Sequence, residues 1–74
     1  MTSFAEYQPD IFTSAELAMI GLICQQYFDA EIAKELSIGV RTVHAMRKSI
    51  MSKMKVKGPV GIVIYAVKHN IYHV

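Results

Sequence analysis

Seventy-four residues, 53% of them hydrophobic and only 19% charged, allow a single small domain built on one core. A chain of this size buries only about 60% of its unfolded surface, so an apolar share this high points to a partner covering part of it or to a fragment of a longer protein. No apolar run approaches the roughly 18 residues of a membrane span, and MTSFAEYQPD has neither the basic start nor the apolar core of a secretory signal. The lone Cys24 excludes an internal disulfide and fits a reducing, cytoplasmic setting.

The net charge of +2 hides a division. Residues 1–35 carry all six acids and one cation, Lys34, which gives 1 − 6 = −5; residues 36–74 carry seven cations and no acid, which gives +7. The basic half would attract a polyanion.

In chain order, residues 1–12 contain Pro9, show no period and read as an arm or linker remnant. Thr13-Ser14-Ala15-Glu16 has the form of a capping box, with Thr13 as N-cap and Phe12 placed to staple onto the first turns. The spacing predicts a helix to about Tyr27, apolar nearly all round and therefore contacted on two sides. Asp29 is the predicted N-cap of a short second helix, on which Ile32, Ala33 and Leu36 form one stripe. Ser37-Ile38-Gly39 breaks that pattern, with Gly39 free to take a backbone angle that other residues avoid. A third helix follows from about Val40 to Lys55, roughly 24 Å long at 1.5 Å per residue. It turns Val43, Met46, Ile50 and Met54 inward and Arg41, His44, Ala45, Lys48, Ser52 and Lys55 outward. Two helices joined by a tight turn, the second basic outside and apolar inside, form a helix-turn-helix of the kind that enters a DNA groove.

Gly58-Pro59 then stops one helix and starts another. The final stretch, GIVIYAV, has the composition of a buried strand, but no second strand is available to pair with it. The Pro start, Lys68-His69 and Asn70 as a C′ residue favour a helix over 60–69. Val60, Ile64, Val67 and Ile71 recur on one face and suit a dimer interface, with Gly61 permitting close approach, while Ile62, Val63 and Ala66 serve the core. The class is thus all-α: a compact four-helix domain over residues 13–74 with a helix-turn-helix and a C-terminal dimerisation helix.

Phe12-Thr13, Glu16, Glu31 to Ile38 (EIAKELSI), Thr42-Val43, Ile50, Lys53-Met54 and Val56-Lys57, continuing to Asn70-Ile71, resemble the LuxR/FixJ/GerE-type helix-turn-helix domain. That family supplies the output domain of many two-component response regulators and quorum sensors. The resemblance covers about residues 12–72. It implies a third helix in the major groove and a fourth that dimerises. By position it assigns base contacts to His44, Ala45 and Lys48, and backbone contacts to Thr42 and Lys53, to which Arg41, Arg47 and Lys57 are added. The chain departs from the pattern at Gly39, where a Ser or Thr cap is usual, at Met46 where His is frequent, at Ala30 where Lys is common, and at Gln26 where Gly is common.

Other chemistries find little support. His69 and His73 stand at i, i+4 as in helical metal sites but lack a third ligand nearby in sequence. Cys24 reads as a small buried hydrophobe, the five Met residues as core filler. There is no Ser-His-Asp set, phosphate loop or paired carboxylate, so the chain is expected to be neither an enzyme nor a cofactor binder. The phospho-acceptor site of a receiver domain is also missing from the sequence, so signal input is expected from residues outside this chain, such as a receiver or sensor domain, or from a partner. The expected partners are double-stranded DNA and a second copy of the chain, with no membrane. The competing reading is a helix-turn-helix used for protein–protein contact.

Overall fold

The computed structural model describes residues 11–73. Four helices follow one another: α1 (Ser14–Cys24), α2 (Asp29–Leu36), α3 (Val40–Met54) and α4 (Pro59–Lys68), with no strand among the described residues. None is long and apolar enough to cross a membrane. The expected class is therefore met, and GIVIYAV is helical. With no strand to pair with, its β-branched residues gain more from packing Ile62 and Ala66 into the core than their strand propensity offers.

The core is a layer of apolar side chains from every helix. Met19, Ile20, Ile32, Val43, Ile50 and Ile62 are fully buried, each worth about 1.5–3 kcal/mol of transfer free energy. α1 packs on α2 and α4, while α3 packs on α2 and α4. Phe12 precedes the Thr13 cap and is buried. Its ring meets Tyr65 of α4 edge-on at 6.3 Å, so the residue before the cap ties the start of α1 to the last helix. The expectation for residues 1–10 lies outside the described residues.

Each helix ends in the same way. Gln26, Ser37, Lys55 and Asn70 adopt left-handed backbone angles (φ 69, 56, 60 and 61°), and none of them is glycine. The next amide reaches back five residues: Tyr27 to Leu22, Ile38 to Ala33, Val56 to Met51 and Ile71 to Ala66, at 3.1, 2.9, 3.1 and 2.8 Å. This is the Schellman closure, and in each case the donating residue is apolar and lies against the core. Two expectations are corrected here. The left-handed residue of the α2–α3 turn is Ser37, not Gly39, which is extended at φ −79° and serves as N-cap of α3. The first helix ends at Cys24 rather than Tyr27, because Tyr27 is the residue folded back by the closure.

Gly61 is also reassigned. A Cβ there would lie 2.7 Å from Val56 Cβ, so its missing side chain admits the chain's own α3–α4 corner, not a second helix.

Candidate nucleic-acid interface

The α2–turn–α3 unit sets one face of α3 against the core and turns the other outward. Val43, Ile50 and Met54 are buried, with Met46 half-buried beside them. Arg41, Thr42, His44, Ala45, Lys48, Ser52 and Lys55 are exposed, and Lys57 follows on the surface. Positions 41, 48 and 55 recur every seven residues, about two turns, so their cations form one stripe. Among the described residues, Arg41, Lys48, Lys55 and Lys57 have no carboxylate within ion-pair distance. A row of unpaired cations flanking His44 and Ala45 is an anion-attracting ridge with side chains short enough to approach a base edge.

Two carboxylates anchor α3 from behind. Glu16 of α1 is buried and accepts from the Thr13 amide (2.9 Å), Ser49 Oγ (3.1 Å) and Lys53 Nζ (2.6 Å). Thr13 Oγ1 accepts from the Glu16 amide at 3.0 Å, which completes the expected capping box. Burial alone pushes the Glu16 carboxyl up. The hydrogen bonds from Lys53, Thr13 and Ser49, with the Lys53 charge, outweigh it and hold the carboxyl below its ordinary 4.5. Lys53 Nζ also stands 5.7 Å from the centre of the Phe12 ring.

Asp29 is the second anchor, and its expected role is corrected. The N-cap of α2 is Phe28; Asp29 is already helical, and Glu31 Oε1 accepts from the Phe28 amide at 2.7 Å. The Asp29 carboxylate instead crosses to α3, where Oδ1 accepts from Arg47 and Oδ2 lies 3.0 Å from His44 Nε2. Glu31 three residues after Phe28 was the available signal for the true cap, masked by an N-cap side chain that cannot accept.

The residues expected at the interface therefore divide. His44, Ala45, Lys48, Arg41, Thr42 and Lys57 share the exposed side, whereas Arg47 and Lys53 are turned toward α2 and α1 and paired there. On α4, Val60, Ile64 and Val67 are 71%, 60% and 37% exposed, one apolar stripe facing outward. Ile71, assigned with them, is half-buried against the chain's own core, because it is the residue that closes α4. Cys24 is half-buried, and burial pushes its thiol up. His69 stacks on Tyr65 at 4.1 Å, and no group of three His, Cys, Asp or Glu able to hold a metal occurs among the described residues.

The pattern of bacterial regulatory proteins of the luxR family matches residues 10–66, 57 of the 74 positions. The chain belongs to that family. It is a family of DNA-binding transcription regulators, not of enzymes. The oxygen regulatory protein NreC of Staphylococcus carnosus (strain TM300) is 36% identical over 61 residues, which cover 82% of this chain and 28% of that protein. NreC of Staphylococcus aureus strains JH9 and USA300 shows the same identity and coverage. The chain thus spans under a third of the length of these relatives. No solved structure matches it.

Proposed function

We propose that this LuxR-family domain is the sequence-specific output domain of a response regulator and binds duplex DNA as a homodimer, with α3 in the major groove. The observation that carries this is the exposed side of α3, where Arg41, Lys48 and Lys55 have no carboxylate within ion-pair distance among the described residues. Cations there displace condensed counterions along the duplex, which supplies most of the affinity. Lys48 donates to guanine O6 and N7, Ala45 packs on a thymine methyl, and His44 meets a third base edge. Arg41, Thr42 and Lys57 hold phosphates. Arg47 and Lys53, both already paired, act first as struts that set the angle of α3 and add to the field only through their residual charge.

One such domain reads too few base pairs to define a genomic site, and a dimer doubles the readout and fixes the half-site spacing. The exposed Val60, Ile64 and Val67 support dimerisation through α4. Ile64→Glu is expected to give a folded monomer with weak DNA binding; sedimentation of that variant as an intact dimer would refute the interface. Residues 1–12 serve as the connection to a receiver or sensor domain, and the whole protein acts in the cytoplasm. The exposed Phe28 beside α2 favours a second reading, contact with another protein. A salt series on random duplex DNA separates the two. A DNA binder loses log affinity against log salt at a slope of about −0.9 per neutralised phosphate, and a protein-contact module shows no such slope.

A further inference from the structure

Not every cation of α3 is free to meet a duplex. Arg47 stands one turn after His44 and next to Lys48, at the flank of the exposed side. Its side chain is nevertheless only 20% exposed, because it folds back onto Asp29, the first residue of α2, where Nη2 donates to Oδ1. That grip is partial. Nε is buried and has no hydrogen-bond partner among the described residues, so the guanidinium does not use the paired fork that makes an arginine–carboxylate contact strong. The Asp29 carboxylate lies at the rim, its other oxygen 3.0 Å from His44 Nε2, and so places a negative charge at the edge of the outward ridge. A backbone phosphate offers the same guanidinium an anionic acceptor with two oxygens matched to the fork. Arg47 cannot serve both fully.

We propose that Asp29 attenuates DNA affinity: it competes with a backbone phosphate for Arg47, so that α3 neutralises one phosphate fewer than its cations permit. This rests on the DNA-binding reading and deepens it. Asp29 acts through Arg47 and is a positioning residue. The sequence-independent attraction falls by one charge contact. A lone domain is thereby kept weak, and stable occupancy calls for two domains on the duplex at once. Glu31 and Glu35, the exposed acids further along α2, have no ion-pair partner among the described residues and hold back no cation.

The test is a salt series on random duplex DNA with the intact domain, Asp29→Asn, Arg47→Ala and the double variant. Glu35→Gln is the control, since it removes the same charge from α2 without releasing a cation. Asp29→Asn is expected to bind roughly two- to fivefold more tightly. Its slope of log affinity against log salt should be steeper by about 0.9, the mark of one more neutralised phosphate. Asp29→Ser, which also lacks the carboxylate, is measured beside it and should behave alike. The double variant should bind as Arg47→Ala does, and Glu35→Gln should keep the intact slope. A purely structural contact gives the opposite sign, weaker binding when Asp29 is changed, and that result overturns the proposal. Equal tightening of Asp29→Asn in the Arg47→Ala background overturns it too, because removal of a charge would then account for everything. Salt-dependent binding by the intact domain with an unaltered slope in both Asp29 variants sinks the inference alone. Binding without salt dependence, or no binding, by every one of these proteins sinks the DNA-binding reading and the inference with it.

Discussion

The two carboxylates that grip α3 have opposite surroundings. Glu16 has a side chain only 7% exposed and collects hydrogen bonds from three partners, Thr13, Ser49 and Lys53. Asp29, 33% exposed, sits at the rim and divides itself between Arg47 and His44. Desolvation makes the difference. A buried carboxylate with every partner in place costs heavily to disturb, whereas water partly replaces whatever a rim carboxylate loses. The inner contact therefore holds the C-terminal half of α3 to α1, and the outer one ties the middle of α3 to α2.

The largest effect should come from removing the inner contact. Glu16→Ala leaves Lys53, Ser49 and the Thr13 amide without their acceptor and is expected to cost about 2–4 kcal/mol in urea unfolding. Asp29→Ala should cost under about 1 kcal/mol. Equal losses would erase the distinction between the two. Next, the α3–α4 corner is held by packing rather than charge. Gly61→Ala brings a methyl to 2.7 Å from Val56 Cβ, and overpacking of this kind costs about 1–3 kcal/mol, read as a lower unfolding midpoint.

Acid acts on the inner contact. The folded pKa of Glu16 lies below its ordinary 4.5, so the unfolded chain takes up the proton more readily. The stability from this contact is complete above 4.5 and is lost as pH falls through the folded value. The stability gap between the intact domain and Glu16→Gln should accordingly narrow below that point; a gap constant down to strong acid would contradict the shift. The smallest change expected is a gain. Gln26 sits at φ 69°, where a side chain costs about 1 kcal/mol, so Gln26→Gly should stabilise by about 0.5 kcal/mol after the added freedom of the unfolded chain.

Local features were legible in the sequence and distant ones were not. The Thr13–Glu16 box spans four residues and the Gly58-Pro59 start two, so each shows in the order of residues. The inward phase of Val43, Ile50 and Met54 and the outward phase of Arg41, His44 and Lys48 follow from helical period alone. The Glu16–Lys53 pair joins residues 37 apart and Asp29–Arg47 residues 18 apart, and no local rule connects them. That is why Lys53 and Arg47 read as free surface cations. Gly39 and Gly61 misled for a related reason: a glycine advertises freedom, but its use depends on what lies beside it. The repeated closure could have been read, since Gln26-Tyr27, Ser37-Ile38, Lys55-Val56 and Asn70-Ile71 each place an apolar residue just past a polar helix end.

The proposed function depends on the exposed side of α3 meeting a duplex, and Lys48 sits at its middle with no carboxylate of the described residues within ion-pair distance. The direct measurement is a binding titration of Lys48→Ala against the intact domain on a selected site and on random duplex, with thermal unfolding of both proteins alongside. An unchanged unfolding temperature, a loss of about 1–3 kcal/mol on the selected site and a smaller loss on random duplex are expected. Equal affinity of the two proteins for the selected site would contradict the proposed function.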